Sequence, residues 1–339
     1  MNNSSTGLQN ETTTDQGFQI TQGEIEAIKL MFETQKYLLE YIQPVLMGLF
    51  GGAGNLLIIL YFLKTNIKSF KKMSSYHFLI INLAVADFLT CIGTSVFFPF
   101  LVKGDVQAKR FACHYGVDFS AGVCPLTSCW ILVWLSYSRY RSIVEPFKPG
   151  FSKRKWACVC TLTWVLSQLV FLYLLFKRRF IEEHQFCIID VNDLNIFVQM
   201  LCLMAIDCVL PVSLMTYFYH QMKRKLFEEE RKNTFTLNDQ SRRRNRIALR
   251  NIKNLNIVYA VFVIPGRFID ALVYITLWLD LNDGFLFNEL FKHYLSLIYA
   301  LSNTAVYLNN ACNIIVYIKL VSGFRRFLAD IFCCGFLRE

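Results

Sequence analysis

The chain has 339 residues, of which 54% are hydrophobic and 15% aromatic while only 18% are charged. Thirty-one phenylalanines and so few charges exclude an ordinary water-soluble domain and point to lipid as the solvent. The net charge of +10 does not mark a nucleic-acid partner, because the basic residues gather in loops between apolar runs, as they do at an anionic membrane surface.

Residues 1–39 form a polar amino-terminal segment with Asn2, Asn3 and Asn10 each two residues before Ser or Thr, the glycosylation triplet that has meaning only outside the cell. Their polar start lacks a basic end and short apolar core, so no cleaved signal peptide is expected. Apolar spans of the length needed to cross a bilayer follow at about 40–63, 75–102, 113–137, 156–176, 195–221, 254–279 and 293–320. Runs this long cannot be barrel strands, so the reading is all-α: a seven-transmembrane helix bundle over 40–321, then a short amphipathic interfacial helix and tail over 322–339.

The loops orient it. Lys64, Lys68, Lys71 and Lys72 fill the first connection, and Arg139, Arg141, Lys148, Lys153, Arg154 and Lys155 face Glu145 alone in the third. Short basic loops stay in the cytoplasm, which places the amino terminus outside and the carboxyl terminus inside. The fifth connection, with Lys223 to Lys225, Glu228 to Glu230 and Arg242 to Arg246, reads as a mobile polar excursion. The outer run Lys177-Arg178-Arg179 breaks the charge rule and is read as a ligand-facing or snorkelling patch. The twelve cysteines follow no metal-ligand spacing.

The landmarks within the spans resemble those of class A, rhodopsin-like G-protein-coupled receptors, over about 40–336. "SRYRSIVEPF" from Ser138 is similar to the family's Asp-Arg-Tyr motif, with Arg139 and Tyr140 in place. "GNLL" with Asn55, "LAVAD" with Asp87, Trp164, Pro211 with Tyr219, Pro265, and "NIIVY" from Asn313 to Tyr317 fall in the family's order. The resemblance implies a cell-surface receptor, not an enzyme, that takes an extracellular peptide or small molecule and activates a heterotrimeric G protein as helix six moves, with arrestin as a further partner. Arg139, Tyr140, Tyr219, Asn313, Tyr317 and Pro265 would then serve activation, and Asp87, Ser128, Asn309, Asn313 and Asn55 a polar pocket holding either an allosteric sodium ion or a hydrogen-bond cluster alone. It also implies a Cys113–Cys187 bridge, while Cys333 and Cys334 beyond "FRRFLADIF" are positioned for palmitate or remain unmodified.

Departures from the pattern have physical consequences. Ser138 replaces the acid before the arginine and Asn245 with Arg246 stand where a second acid is common, so a charge lock on Arg139 is not expected. Arg139 is instead read as bonding helix-end carbonyls or an inserted partner segment. Val263 replaces a tryptophan and Ile314 a proline. The stretch from Cys113 to Arg139 is one residue longer than usual and contains Pro125, which predicts a bulge or kink in helix three.

Ionisable groups in the outer halves of spans mark the candidate ligand site, since lipid penalises them without a cavity or partner. Asp118, Asp207, Arg267 and Asp270 qualify, walled by Tyr274, Tyr299 and Tyr307. Asp207 and Arg267 either pair with each other or meet opposite charges on a peptide. A retinal pigment is excluded by Tyr307 where opsins carry lysine; an amine receptor is the runner-up through Asp118, one turn outward of the usual acid position at Ala121. A transporter or channel would need repeated halves and a polar path across the bilayer, and neither is evident.

Overall fold

A computed structural model describes residues 33–34, 36–66, 74–148, 150–181, 186–189, 198, 201–231, 239–283 and 289–332. Seven long helices run in order: α1 over residues 38–66, α2 Ser75–Lys103, α3 over 106–144, α4 Lys153–Lys177, α5 over 201–231, α6 Asp239–Asp283 and α7 Glu289–Leu320. The short helix α8, Ser322–Phe332, follows. Between α4 and α5 lies an antiparallel hairpin, β1 Arg178–Ile181 with β2 Phe186–Ile189, an exception to an all-α expectation. Hydropathy could not announce it, because four-residue strands outside the bilayer carry no span signal.

Among the described residues, six helices are long and apolar enough to cross a membrane; α7 has the length, with 32 residues. Large apolar side chains such as Leu49, Phe50, Leu166, Phe176, Val261 and Phe268 stay exposed on the outside of the bundle, a distribution that suits acyl chains and not water. The most apolar stretch of α3 is 78% buried against 22% in α4, which makes α3 the central post. The fifth connection is less of an excursion than its charge implied, since α5 continues to Arg231 and α6 begins at Asp239. Good helix formers such as Lys, Arg, Glu and Leu carry both helices onward.

Proline and glycine shape the packing. The extra residue of helix three is absorbed by two π-helical stretches, Ala112–Gly116 and Asp118–Val123, directly ahead of Pro125. Proline offers no N–H to the carbonyl four residues earlier and its ring crowds that turn, so the preceding turn widens. α5 repeats the device, with Ala205–Val209 π-helical before Pro211. At Gly51 the backbone of α1 approaches α2 and α7 so closely that a Cβ would strike the Cys91 side chain and come within 3.0 Å of the Ala311 Cβ. Small residues permit such contact in membrane bundles, where packing replaces the hydrophobic effect as the cohesive force.

Two apolar clusters form the interior. One includes Ile58, Leu83, Ile131, Met215, Tyr259, Val316 and Phe324; the other joins Met47, Cys91, Tyr307 and Ala311. Along α1, α2 and α7, buried Asn55, Asp87 and Asn313 fall between members of the two. α8 lays Phe324 and Phe327 against Tyr61, with ring centroids 5.4 and 5.5 Å apart, while Arg325 and Arg326 are exposed. That is the amphipathic arrangement expected of an interfacial helix.

Candidate functional site

A buried charged cluster joins α5 to α6. Arg267 Nε lies 2.8 Å from Asp207 Oδ2, and Arg267 Nη1 donates to Asp270 Oδ2 at 2.8 Å. The first contact is an ion pair without an aligned hydrogen bond, and Asp207 Oδ1 and Asp270 Oδ1 are buried without partners. Asp207 is 8% and Asp270 7% exposed. Of the four ionisable residues read as ligand-site candidates, three therefore come together. Asp118 is buried in the π-helical part of α3 and takes no part in these two ion pairs.

Beneath this cluster lies a cavity lined by Asp207, Arg267, Cys129, Tyr259, Val263 and Asn309 among others. Val263, at the tryptophan position of the family pattern, is one of the residues that line it. Pro211 explains the cavity's hydrogen bonding. The carbonyl of Asp207, four residues before Pro211, loses its helical donor and is taken up by the Tyr259 hydroxyl. Cys129 Sγ approaches that carbonyl at 3.4 Å and the Tyr259 hydroxyl at 2.9 Å, so α3, α5 and α6 meet on one freed backbone group.

Asp87 is fully buried, and each of its oxygens accepts a side-chain hydrogen bond at 2.5 Å, Oδ1 from Ser128 Oγ and Oδ2 from Asn313 Nδ2. Asn309 is buried and borders the cavity. Asn55 departs from the expected set: its amide donates to the carbonyls of Gly51 and Asn310 at 2.9 and 3.0 Å, so it ties α1 to α7 and does not bond Asp87. A carboxylate, a hydroxyl and the orphaned Asn55 Oδ1 supply the hard oxygen donors a small monovalent cation takes.

At the end of α3 that carries the Ser138–Tyr140 motif, the Arg139 guanidinium carbon sits 3.4 Å from the centroid of the Tyr76 ring on α2. Arg139 Nε is buried with no partner, and no described acid pairs with it. The expectation of bonding to helix-end carbonyls gives way to an aromatic stack. Glu145 is unavailable because Lys148 Nζ holds it at 2.8 Å, which keeps its carboxyl below the usual carboxylate range. Tyr317 is buried with an unpartnered hydroxyl and packs on Phe62 at 6.1 Å. Tyr140 stacks between Tyr137 and Phe218, and Tyr219 lies against His220.

Tyr307 is buried beside Phe98, at 5.9 Å, and Tyr299 is half-buried with its carbonyl accepting from Asn303. The side chains of Tyr274 and Cys187 lie outside the described residues, as do Asn2, Asn3, Asn10, Cys333 and Cys334 entirely. Cys113 is buried in a π-helical stretch that contacts β1, the partner strand of the β2 carrying Cys187. Sequence reasoning missed Tyr76, Tyr259, Cys129 and Asn310. Only Tyr259 left a trace, as a polar tip inside an apolar span.

Six long apolar helices and a seventh of spanning length around buried polar residues define, among the described residues, a multi-pass membrane protein of the heptahelical receptor type. The family described as 7 transmembrane receptor (rhodopsin family) matches residues 54–317, more than half the chain, and the protein belongs to that family. It is similar to the Tachykinin-like peptides receptor 86C of Drosophila melanogaster, at 34% identity over 34% of this chain and 22% of the relative. Neuropeptide receptor 22 of Caenorhabditis elegans shares 32% over 38% of this chain and 30% of its own. Opsin-2 of Manduca sexta shares 28% over 58% and 52% respectively. The matched stretches span about half or less of these relatives. They are receptors, and the family is not one of enzymes.

Proposed function

We propose that this chain is a plasma-membrane receptor, amino terminus outside, which binds an extracellular peptide and activates heterotrimeric G proteins through movement of α6. Names of two relatives as peptide and neuropeptide receptors support the ligand class. The observation that carries the coupling is Arg139: a guanidinium at the inner end of α3 with a buried unpartnered Nε and no acid beside it. Such a group is poised to donate to the carbonyls of an inserted transducer segment, and an outside ligand would select the conformer that admits it. Tyr219 and Tyr317 line the opening, arrestin is a second occupant of it, and α8 rests on membrane lipid. Cys113 bridges Cys187, Asn2, Asn3 and Asn10 carry glycans, and Cys333 with Cys334 carry palmitate.

A sodium ion would be held by Asp87 with Ser128, Asn309, Asn313 and Asn55, and would supply compensating charge to the buried carboxylate. The coupling test is Arg139→Gln at matched surface level. Loss of nucleotide exchange on the G protein is expected, and undiminished exchange overturns the reading. The amine alternative through Asp118 is settled by a monoamine panel run beside the peptide library; solute flux without G protein would mark a transporter.

A further inference from the structure

We infer that the Asp207–Arg267–Asp270 cluster receives a cationic group, an amine or guanidinium, and not an anionic one; this rests on the reading of the chain as a ligand-activated receptor. The argument is one of charge and hydrogen-bond accounting. Arg267 offers a single positive charge to two carboxylates, each 2.8 Å away. With both acids ionised, the cluster carries one surplus negative charge among apolar helices. A structural ion pair in such surroundings is expected to be neutral and saturated, since an uncompensated buried charge costs several kcal/mol.

This one is not saturated. Asp207 Oδ1 and Asp270 Oδ1 are both buried acceptors with no donor, on residues more than nine-tenths buried. Asp207 also lines the cavity, as does Val263. Arg267 Nε also lacks an aligned hydrogen bond, but Arg267 is ion-paired with both acids, so a ligand carboxylate reaching it would have to displace one of them while facing the other. A ligand ammonium or guanidinium meets two free oxygens and removes the surplus charge. Charge-assisted hydrogen bonds of this kind are short and about twice as strong as neutral ones.

The test uses the full chain in lipid nanodiscs and three blocked amino acids of matched shape: acetyl-arginine methylamide, its citrulline counterpart and its glutamate counterpart, each at millimolar concentration. The arginine probe is expected to raise the thermal midpoint, and the other two to leave it unchanged. Asp207→Asn and Asp270→Asn should each weaken the arginine probe roughly ten-fold or more, the loss typical of removing one partner of a buried charge pair. Equal response to arginine and citrulline, a response to glutamate alone, or no response to any probe overturns the proposal on the unmutated protein, whatever the variants do for folding. Unaltered arginine affinity in both variants does so as well. The receptor reading is read separately, through exchange by Arg139→Gln, so charge-blind probe binding sinks this inference alone.

Discussion

At the scale of single residues, the carboxyl-terminal end of α3 turns on what an arginine does with no described acid beside it. Tyr76 offers a ring face at 3.4 Å, and a stack of this kind contributes about 0.5–2 kcal/mol. If the stack holds the resting conformer, Tyr76→Leu should raise ligand-free nucleotide exchange roughly two- to thirty-fold, the population ratio that energy corresponds to. Tyr76→Phe should preserve the resting level, because the ring and not the hydroxyl makes the contact. Ser138→Asp, which restores an acid beside Arg139, should lower exchange below wild type. Unchanged exchange in Tyr76→Leu would show that the stack holds nothing. A second residue-scale case is Tyr259, whose hydroxyl serves the carbonyl that Pro211 sets free. Tyr259→Phe keeps the ring and leaves the carbonyl only the weak thiol donor of Cys129, so a cost of about 0.5–1.5 kcal/mol is expected as a lower thermal midpoint. The same substitution with Pro211→Ala should cost less, since alanine restores the N–H that bonds the carbonyl.

At the scale of elements, what was legible in the sequence follows from what lipid penalises. Seven spans, the interior placing of Asp87, the bulge ahead of Pro125 and the amphipathic face of α8 all leave strong marks, because charge, proline and apolar length are costly to misplace in a bilayer. Asp207 and Arg267 stand out for the same reason, being opposite charges inside apolar spans, although the sequence leaves open whether they pair with each other or meet a ligand. Tyr76 and Tyr259 were not. They are two of sixteen tyrosines, and their partners sit on other helices, so only the rotation of α2 against α3 and of α6 against α5 shows which tyrosine matters. The hairpin and Asn55's choice of the Asn310 carbonyl over Asp87 were hidden likewise, since no one-dimensional pattern records a neighbour 255 residues away. Glycine gives an element-scale test. Gly51→Ala forces α1 away from Cys91 and Ala311, and an overpacking cost of about 1–3 kcal/mol should appear as reduced thermal stability. Gly150→Ala, with open space around its Cβ position, is the control and should change nothing measurable.

At the scale of the whole molecule, the two apolar clusters and the polar groups between them raise the question of how a fully buried carboxylate is tolerated. Asp87 has two neutral donors and no described cationic side chain at hydrogen-bonding distance, while a charge at mid-bilayer depth carries a penalty of about 2.5–3.5 kcal/mol on insertion scales. If sodium offsets that penalty, the thermal midpoint in sodium chloride should exceed that in N-methylglucamine chloride at equal ionic strength. Asp87→Asn keeps the shape, removes the charge and turns one acceptor into a donor, to which the Ser128 hydroxyl can act as acceptor, so it should raise the midpoint in the sodium-free buffer and abolish the difference between the two salts. If the ion also favours one arrangement of α2, α3 and α7 over another, linkage requires that sodium shift ligand-free exchange by the factor with which it favours that arrangement. Equal midpoints for the wild-type protein in both salts would leave Ser128 and Asn313 as the whole of the compensation, and Asp87 as a member of a hydrogen-bond cluster with no ion.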